Sequence, residues 1–523
     1  MLLTLSRLSR HSVIPHYTIT TPIFYVNSAP HIGHLYSCLL ADAHCRYTRL
    51  LAPDNSHDNK IIFSTGTDEH GLKVQQAAAR AELSPQQFCD KISDKFRKLF
   101  DKCNIDYTHY IRTSDADHKR VVGEVWRRLE ERGDLYRTEY SGWYSVQEES
   151  FITSVEQRHG EHVSSDTGQT LEWTSEENWM FRLSSYQERL LQWHRDLTPV
   201  TPPLFRGQVL AWISEGLNDL SVSRPSSRLH WGVPVPGDDE QTIYVWIDAL
   251  VNYLTVCHYP QLSGWPPTVQ VLGKDILKFH AIYWPAMLMS LDLPLPHKLF
   301  VHSHWTVDNV KMSKSLGNVV DPHEMIDKYS SDGVRYFLLR EGVPHSDGNF
   351  SESSMIQLLN LELANTMGNL LNRCSSKGVN KSQIIPKYPS TYREQSELSL
   401  ELEQRLRDLS VGVGAAYDEM NFYQGCVQVM TVLRLTNQLV QEQQPWTLNN
   451  DQEKLDWVLA TCFESLRVSG ILLQPIVPTL SSALLDKLGV RHDQRHWSRA
   501  VPGAGDTSDK LSPGKTILFS KIK

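Results

Sequence analysis

Two runs of β-branched and aromatic residues, YTITTPIFYV (17–26) and KIIFSTGTDEHG (60–71), each pass through a glycine-bearing loop into residues with helical apolar spacing, LYSCLLADAHCRYTRLL and LKVQQAAARA. Strand, loop, helix, strand, loop, helix is the rhythm of a parallel α/β sheet. Such sheets hold ligands beyond the carboxyl ends of their strands, where both loops fall. From 135 to 235 the texture changes. YRTEYSGWYSVQEESFI and TLEWTSEENWMFRLSSYQERLL are rich in Trp, Tyr, Ser and turn residues, and predict an inserted α+β module. Strand-like segments return at 241–256, 269–288 and 298–307, as the second half of the sheet. After residue 341 the β signal nearly vanishes, and long amphipathic patterns from about 351 predict a helical bundle. The expected division is therefore a first half-sheet over 17–134, a module over 135–235, a second half over 236–350 and a helical domain over 351–523.

Residues 1–16, MLLTLSRLSRHSVIPH, carry Arg7 and Arg10, three serines and no acid, with leucines able to line one helical face. That composition predicts a mitochondrial targeting leader, and hence the mitochondrial matrix, with a short disordered start as the other reading. No run approaches the roughly 20 apolar residues that span a bilayer. A formal net charge of −8 argues against a protein that coats nucleic acid nonspecifically, though not against a local basic surface. Eight scattered cysteines with no Cys-x-x-Cys pair predict reduced, buried thiols and leave no thiolate cluster for a structural zinc.

Two short motifs carry the chemistry. HIGH (31–34) follows the first strand, and KMSKS (311–315) follows a later one. Alone, the first reads as a pair of surface histidines and the second as a solvated turn. Together, with an insertion between them, they resemble the two-part pattern of class I aminoacyl-tRNA synthetases. The physics fits such a reaction. An amino acid's carboxylate attacks the α-phosphorus of ATP already ionised, so the protein needs no nucleophile or strong base, only positioning and charge stabilisation. His31 and His34 at a helix N-terminus can donate to phosphate oxygens, and Gly33 lets the backbone come close. Lys311 and Lys314 on a mobile loop can close over the β- and γ-phosphates and the pyrophosphate, with Ser313, Ser315 and Gly317 suiting that mobility.

Within that class the chain resembles the methionyl-tRNA synthetases of bacterial and mitochondrial type, from about Tyr17 to about Leu473. TTPIFYVNSAPHIGH, STGTDEHG, EENWMFRLS, SVSRPSSRLHWGVPVP, YVWIDALVNYL, GKDILKFHAIYWPAML, VHSHWTVDNVKMSKSLGNVVDP and ANTMGNLLNR look like that family's segments, in its order. The resemblance implies a Rossmann-like parallel-sheet catalytic domain, split by the insertion and followed by an anticodon-binding helical bundle. It implies ATP with Mg²⁺, methionine, and the methionine tRNA held by its acceptor end and CAU anticodon.

Residue by residue, the resemblance implies a methionine pocket of Ile23, Tyr25, Trp246, Ala249, Leu250, Tyr253 and His280, with Asp68 on the substrate ammonium. Taken without it, Trp246 and Tyr253 read as core, and Asp68 equally as a loop cap. ATP would meet Gly33, Gly273, Asp275, Lys311, Met312, Ser313, Lys314 and Ser315, with Asp275 on the ribose hydroxyls. The catalytic set is His31, His34, Lys311 and Lys314. Asn365, Asn369 and Arg373, on about one helical face, and Trp446 would read the anticodon, the indole stacking a splayed base. On its own Trp446 reads as helix-end packing.

The sequence departs from the family where many members carry zinc knuckles: the corresponding WYSVQEESFI and VEQRHGEHVSSD hold no cysteine. His159 and His162 read as solvated there, so no structural metal is expected. The chain stops soon after the bundle, which predicts a monomer.

Overall fold

The computed structural model describes residues 16–52, 60–145, 150–152, 155–158, 160–165, 168–307, 309–312, 318–388, 396–448, 450–505 and 510–523. The expected leader, apart from His16, lies outside them, as do His159 and the Ser313, Lys314 and Ser315 of the lysine loop. Two compact units alternate along the chain. One gathers the chain up to Pro30, Ile62–Lys98 and Tyr107–His302; the other gathers His31–Ile61, Leu99–Asp106 and the chain from Ser303 on. Strand β1 (His16–Tyr25) belongs to the first unit, and the helix that follows it, α1 (Ile32–Leu51), to the second.

In the first unit β1 is followed by β2 (Lys60–Asp68) and β3 (His109–Arg112), an antiparallel pair β4 (Leu135–Ser145) and β5 (Glu172–Phe181), then β6 (Val200–Thr201), β7 (Val269–Gly273) and β8 (Leu299–His302). All but β4 and β5 join one sheet in the order β3-β2-β1-β7-β8-β6. The pairs β1–β7, β7–β8, β8–β6 and β2–β3 are parallel, with Ile19 beside Val269, Gln270 beside Leu299, Leu299 beside Val200 and Ser64 beside His109. Every residue of β7 is buried, as a strand covered on both faces must be. The strand order reverses between β1 and β7, which marks the carboxyl ends of these two strands as the place for a ligand. The module's main pair, β4 with β5, runs in register from Leu135 opposite Phe181 to Tyr144 opposite Glu172. Val200–Thr201, from the middle of the 135–235 stretch, pairs with β8 and so belongs to the large sheet. A two-residue strand is too short to leave a periodic trace in the sequence.

The segment 241–256, strand-like in sequence, is only partly a strand. Extended structure stops at Ile243, and Val245–Val256 is a helix, α3, with eleven of its twelve residues buried. A helix that is apolar all round has no polar face to reveal its period, so it resembles a buried strand. Two more helices of this unit matter below: α2 (Gln187–Asp196) and α4 (Trp284–Ser290).

The second unit is almost wholly helical. α1 packs with α5 (Ser331–Glu341), and after the short α6 (Asn369–Ser375) come the long helices α7 (Glu397–Asp418), α8 (Phe422–Gln443) and α9 (Gln452–Leu472). Its most buried polar contact is the ion pair of Asp42 on α1 with Arg335 on α5, at 2.6 Å with both side chains fully inaccessible. Arg335 also donates to the carbonyls of Ile476 and Pro475, each at 2.9 Å, and to those of Cys103 at 3.3 Å and Asn104 at 3.4 Å. Burial alone would push the Asp42 carboxyl up, but Arg335 and Arg46 outweigh it and hold it below the usual carboxylate range. Farther along α1, Tyr47 donates to Asp418 at 2.9 Å and meets Trp497 edge-on. All eight cysteines of the chain are buried, and none forms a disulfide. Among the described residues no helix is long and apolar enough to cross a membrane.

Candidate functional site

The candidate residues form three groups, one in the first unit and two in the second. The first group sits at the carboxyl ends of β1, β2 and β7 and on α3. Ile23 and Tyr25, two apart on β1, share one face and are half-buried. Asp68 ends β2, and its carbonyl accepts from the Val26 amide at 3.0 Å, which ties the ends of the two strands together. Its side chain is almost fully buried. Trp246, Ala249, Leu250 and Tyr253 recur at helical spacing along one face of α3. Tyr253 Oη and His280 Nε2 are 2.8 Å apart, and His280 Nδ1 lies 3.0 Å from the Ile276 carbonyl. A carbonyl can only accept, so His280 carries its proton on Nδ1, and Nε2 accepts from the tyrosine. Burial pushes His280 down to about 4 and the Tyr253 phenol well up, so both are neutral.

Several members of this group escape the sequence reading. Phe279 stacks on Trp246, with ring centroids 3.7 Å apart and planes 16° apart, completing an aromatic wall. Below it, the Asp248 carboxylate takes His70 Nδ1 at 2.7 Å and His118 Nε2 at 3.0 Å. Burial opposes that charge, but the two imidazoles, His70 first, hold Asp248 well below the usual range. This cluster bolts the segment after Asp68 to α3. The signal for it was present, since His70 stands in the same STGTDEHG run as Asp68 and Asp248 in the same YVWIDALVNYL run as Trp246. Gly273 ends β7, and a β-carbon there would stand 2.6 Å from Asp275 Oδ1, so the glycine leaves room for that carboxylate to fold back.

The second group is the start of α1. The Gly33 amide donates to His31 Nδ1 at 3.1 Å, and the His31 amide donates to His34 Nδ1 at 3.2 Å, a reciprocal cap made of two histidines. The two rings stack with centroids 3.7 Å apart. An Nδ1 that accepts an amide hydrogen bears no proton, so each ring carries its hydrogen on Nε2 as a donor. Two N–H groups are thus fixed at a helix N-terminus, where the helix dipole favours anions. Gly33 has a second reason to lack a side chain: a β-carbon would press on the His31 ring. The methyl of Met312 comes within 3.8 Å of that β-carbon position, which brings the residue next to Lys311 to the histidine turn. Lys311 closes the two-residue strand Val310–Lys311, paired across from Thr306.

The third group faces solvent on the helical domain. Asn365 and Asn369 are exposed, and the Arg373 guanidinium lies 5.4 Å from the centre of the Trp446 ring. Asn365 sits in a π-helical stretch, Asn360–Gly368, which α6 continues. Three side-chain contacts help hold that stretch. Buried Glu362 accepts from Tyr336 Oη at 2.6 Å and pairs with Arg340 at 3.2 Å, and Asn437 on α8 donates to the Thr366 carbonyl at 2.9 Å. At the end of α8, Gln444 turns left-handed (φ 44°), Pro445 is buried, and Trp446 is left 41% exposed. A packing tryptophan would be buried; this one is held out.

In the module, His162 stacks on Trp143 with ring centroids 3.9 Å apart. Among the described residues no group of three or more His, Cys, Asp or Glu is placed to hold a metal ion.

Comparison with known proteins gives matches along nearly the whole chain. The family model described as tRNA synthetases class I (M) matches residues 17–375, and that of the anticodon binding domain of methionyl tRNA ligase matches 385–523. The mitochondrial methionine–tRNA ligase of Bos taurus is 49% identical over 96% of this chain and 90% of its own length. That of Homo sapiens is 48% identical over the same shares. Among solved structures, Mycobacterium tuberculosis methionyl-tRNA synthetase in complex with methionyl-adenylate superimposes with a TM-score of 0.89 at 36% identity, covering 96% of this chain and 99% of its own.

Proposed function

The chain belongs to the methionyl-tRNA synthetases of class I, and from that premise we propose how its residues divide the work. It activates methionine with ATP to methionyl-adenylate, releasing pyrophosphate, and passes the methionyl group to the 3′ end of the methionine tRNA, releasing AMP. It does so for translation in mitochondria.

In the proposed division, Asp68 holds the methionine ammonium, while Ile23, Tyr25, Trp246, Ala249, Leu250, Tyr253 and His280, with Phe279, surround the thioether. One observation carries this assignment. The polar atoms of Tyr253 and His280 satisfy each other and are uncharged, so the aromatic pocket suits an apolar, polarizable side chain. The Nε2–H groups of His31 and His34 donate to the phosphates of ATP, which enters with its magnesium ion. Lys311 and Lys314 draw off charge as the pyrophosphate leaves, with Gly33, Met312, Ser313 and Ser315 shaping the nucleotide's surroundings. Asp275, given room by Gly273, accepts from the ribose hydroxyls. Asn365, Asn369, Arg373 and Trp446 read the CAU anticodon. The module folds without zinc, its rings packed by contacts such as His162 on Trp143. The enzyme works as a monomer, which sedimentation equilibrium tests directly.

The deciding experiment is ATP–pyrophosphate exchange on the purified protein with each of the twenty amino acids offered singly. Exchange with methionine alone is expected; exchange sustained by leucine or isoleucine instead would overturn the pocket assignment. His34→Ala should slow exchange with little change in the KM for methionine.

A further inference from the structure

His280 and Phe279 stand in a turn that a proline deforms. Residues Phe279–Tyr283 are π-helical, with the Trp284 amide bonded to the Phe279 carbonyl five residues back, and Pro285 enters α4 directly after. In an α-helix the amide of residue 285 would bond the carbonyl of residue 281, but proline has no amide hydrogen and its ring crowds that carbonyl. The Ala281 carbonyl lies fully buried where this deformed turn meets α4. A donor reaches it from far away in sequence: His194 Nε2, on α2, lies 2.8 Å from the Ala281 oxygen.

His194 is itself fully buried. Its Nδ1 has no hydrogen-bond partner among the described residues, so the imidazole makes this one bond only. Because a carbonyl accepts, the ring hydrogen is on Nε2. A buried imidazole that leaves one nitrogen unpaired is a poor choice for packing alone, since a leucine would fill the space without that cost. What the histidine supplies is a donor at the carbonyl where the deformed turn meets α4.

We infer that His194 is a positioning residue for methionine: by holding the Ala281 carbonyl it fixes the deformed turn in the shape that presents Phe279 to Trp246 and His280 to Tyr253. The inference rests on the reading of these four residues as the methionine pocket. His194 touches no substrate in this arrangement and acts through the turn. Glutamine can place its amide nitrogen where Nε2 stands, whereas asparagine is one bond too short and leucine has no donor.

The test uses the full chain with four substitutions, His194→Leu, His194→Asn, His194→Gln and His280→Ala, and measures KM for methionine and for ATP, with kcat, in pyrophosphate exchange. His194→Leu and His194→Asn should raise the methionine KM about tenfold, the effect of one lost buried hydrogen bond, with the ATP KM within about twofold of the parent. His194→Gln should restore the methionine KM to within about threefold. Should the leucine variant fail to fold, the asparagine and glutamine variants make the same comparison. An unchanged methionine KM in the leucine or asparagine variant, or a parallel rise in both KM values that glutamine does not rescue, overturns the inference. If His280→Ala raises the methionine KM while the His194 variants do not, only the positioning role fails. If His280→Ala also leaves it unchanged, the pocket reading itself falls.

Discussion

At position 33 a β-carbon would stand 3.0 Å from both Cε1 and Nδ1 of His31. An imidazole can swing aside at little cost to the fold, but then it no longer caps the Gly33 amide or presents Nε2–H in the same direction. Gly33→Ala should therefore slow adenylate formation by about tenfold or more while shifting the melting temperature by only a degree or two. Pre-steady-state quench of methionyl-adenylate formation, run beside a thermal melt, separates the two effects. Residue-scale physics also sets a pH dependence. His194 and His280 are both pushed down to about 4 by burial, from about 6.5 in the unfolded chain. Between those values the unfolded chain binds protons that the folded chain does not. Their contribution is thus complete above pH 6.5 and is lost as the pH falls toward 4. Each histidine should remove about 2 kcal/mol of stability by pH 5. Urea unfolding at pH 7 and pH 5 measures the drop, and His194→Gln should remove about half of it.

At the scale of elements, Trp446 depends on how α8 ends. The left-handed Gln444 and buried Pro445 turn the indole outward beside Arg373, rather than back onto the bundle. Trp446→Ala should spare pyrophosphate exchange and cut tRNA charging by about 10- to 100-fold, the worth of one stacked base. Equal losses in both assays would make Trp446 a structural residue. This scale also shows where the sequence was legible. HIGH announced a helix start, and the spacing of Trp246, Ala249, Leu250 and Tyr253 placed them on one face once a helix was granted. That helix was the difficulty: VWIDALVNYLTV is buried all round, so its period was hidden and it passed for a strand. β6, two residues long, left no pattern at all. His194 was invisible for another reason. Its role depends on a carbonyl 87 residues away, and no local pattern reports such a contact.

At the scale of the whole molecule, α1 carries the histidine cap at one end and is anchored along its length by Arg335 and by Asp418. Removing one member of a fully buried ion pair strands the other charge. Asp42→Asn should thus lower the unfolding free energy by about 3 kcal/mol or more, while Asp42→Leu combined with Arg335→Met should lose less than the two singles summed. Chemical denaturation of the four proteins closes the cycle. The same anchoring has a consequence for how the protein comes into being. Tyr47 and the Asp418 it bonds are 371 residues apart. At a synthesis rate of about 5–20 residues per second, the first emerges roughly 20–75 s before the second exists. For most of that interval, until α5 emerges, the Asp42 carboxylate lacks Arg335, and Tyr47 waits longer still for Asp418. No single cut divides the chain into its two units, and a fragment beginning at Ser303 would lack the helix its bundle closes upon. The growing chain must keep its first helix from aggregating while it waits for the last third of the protein to arrive.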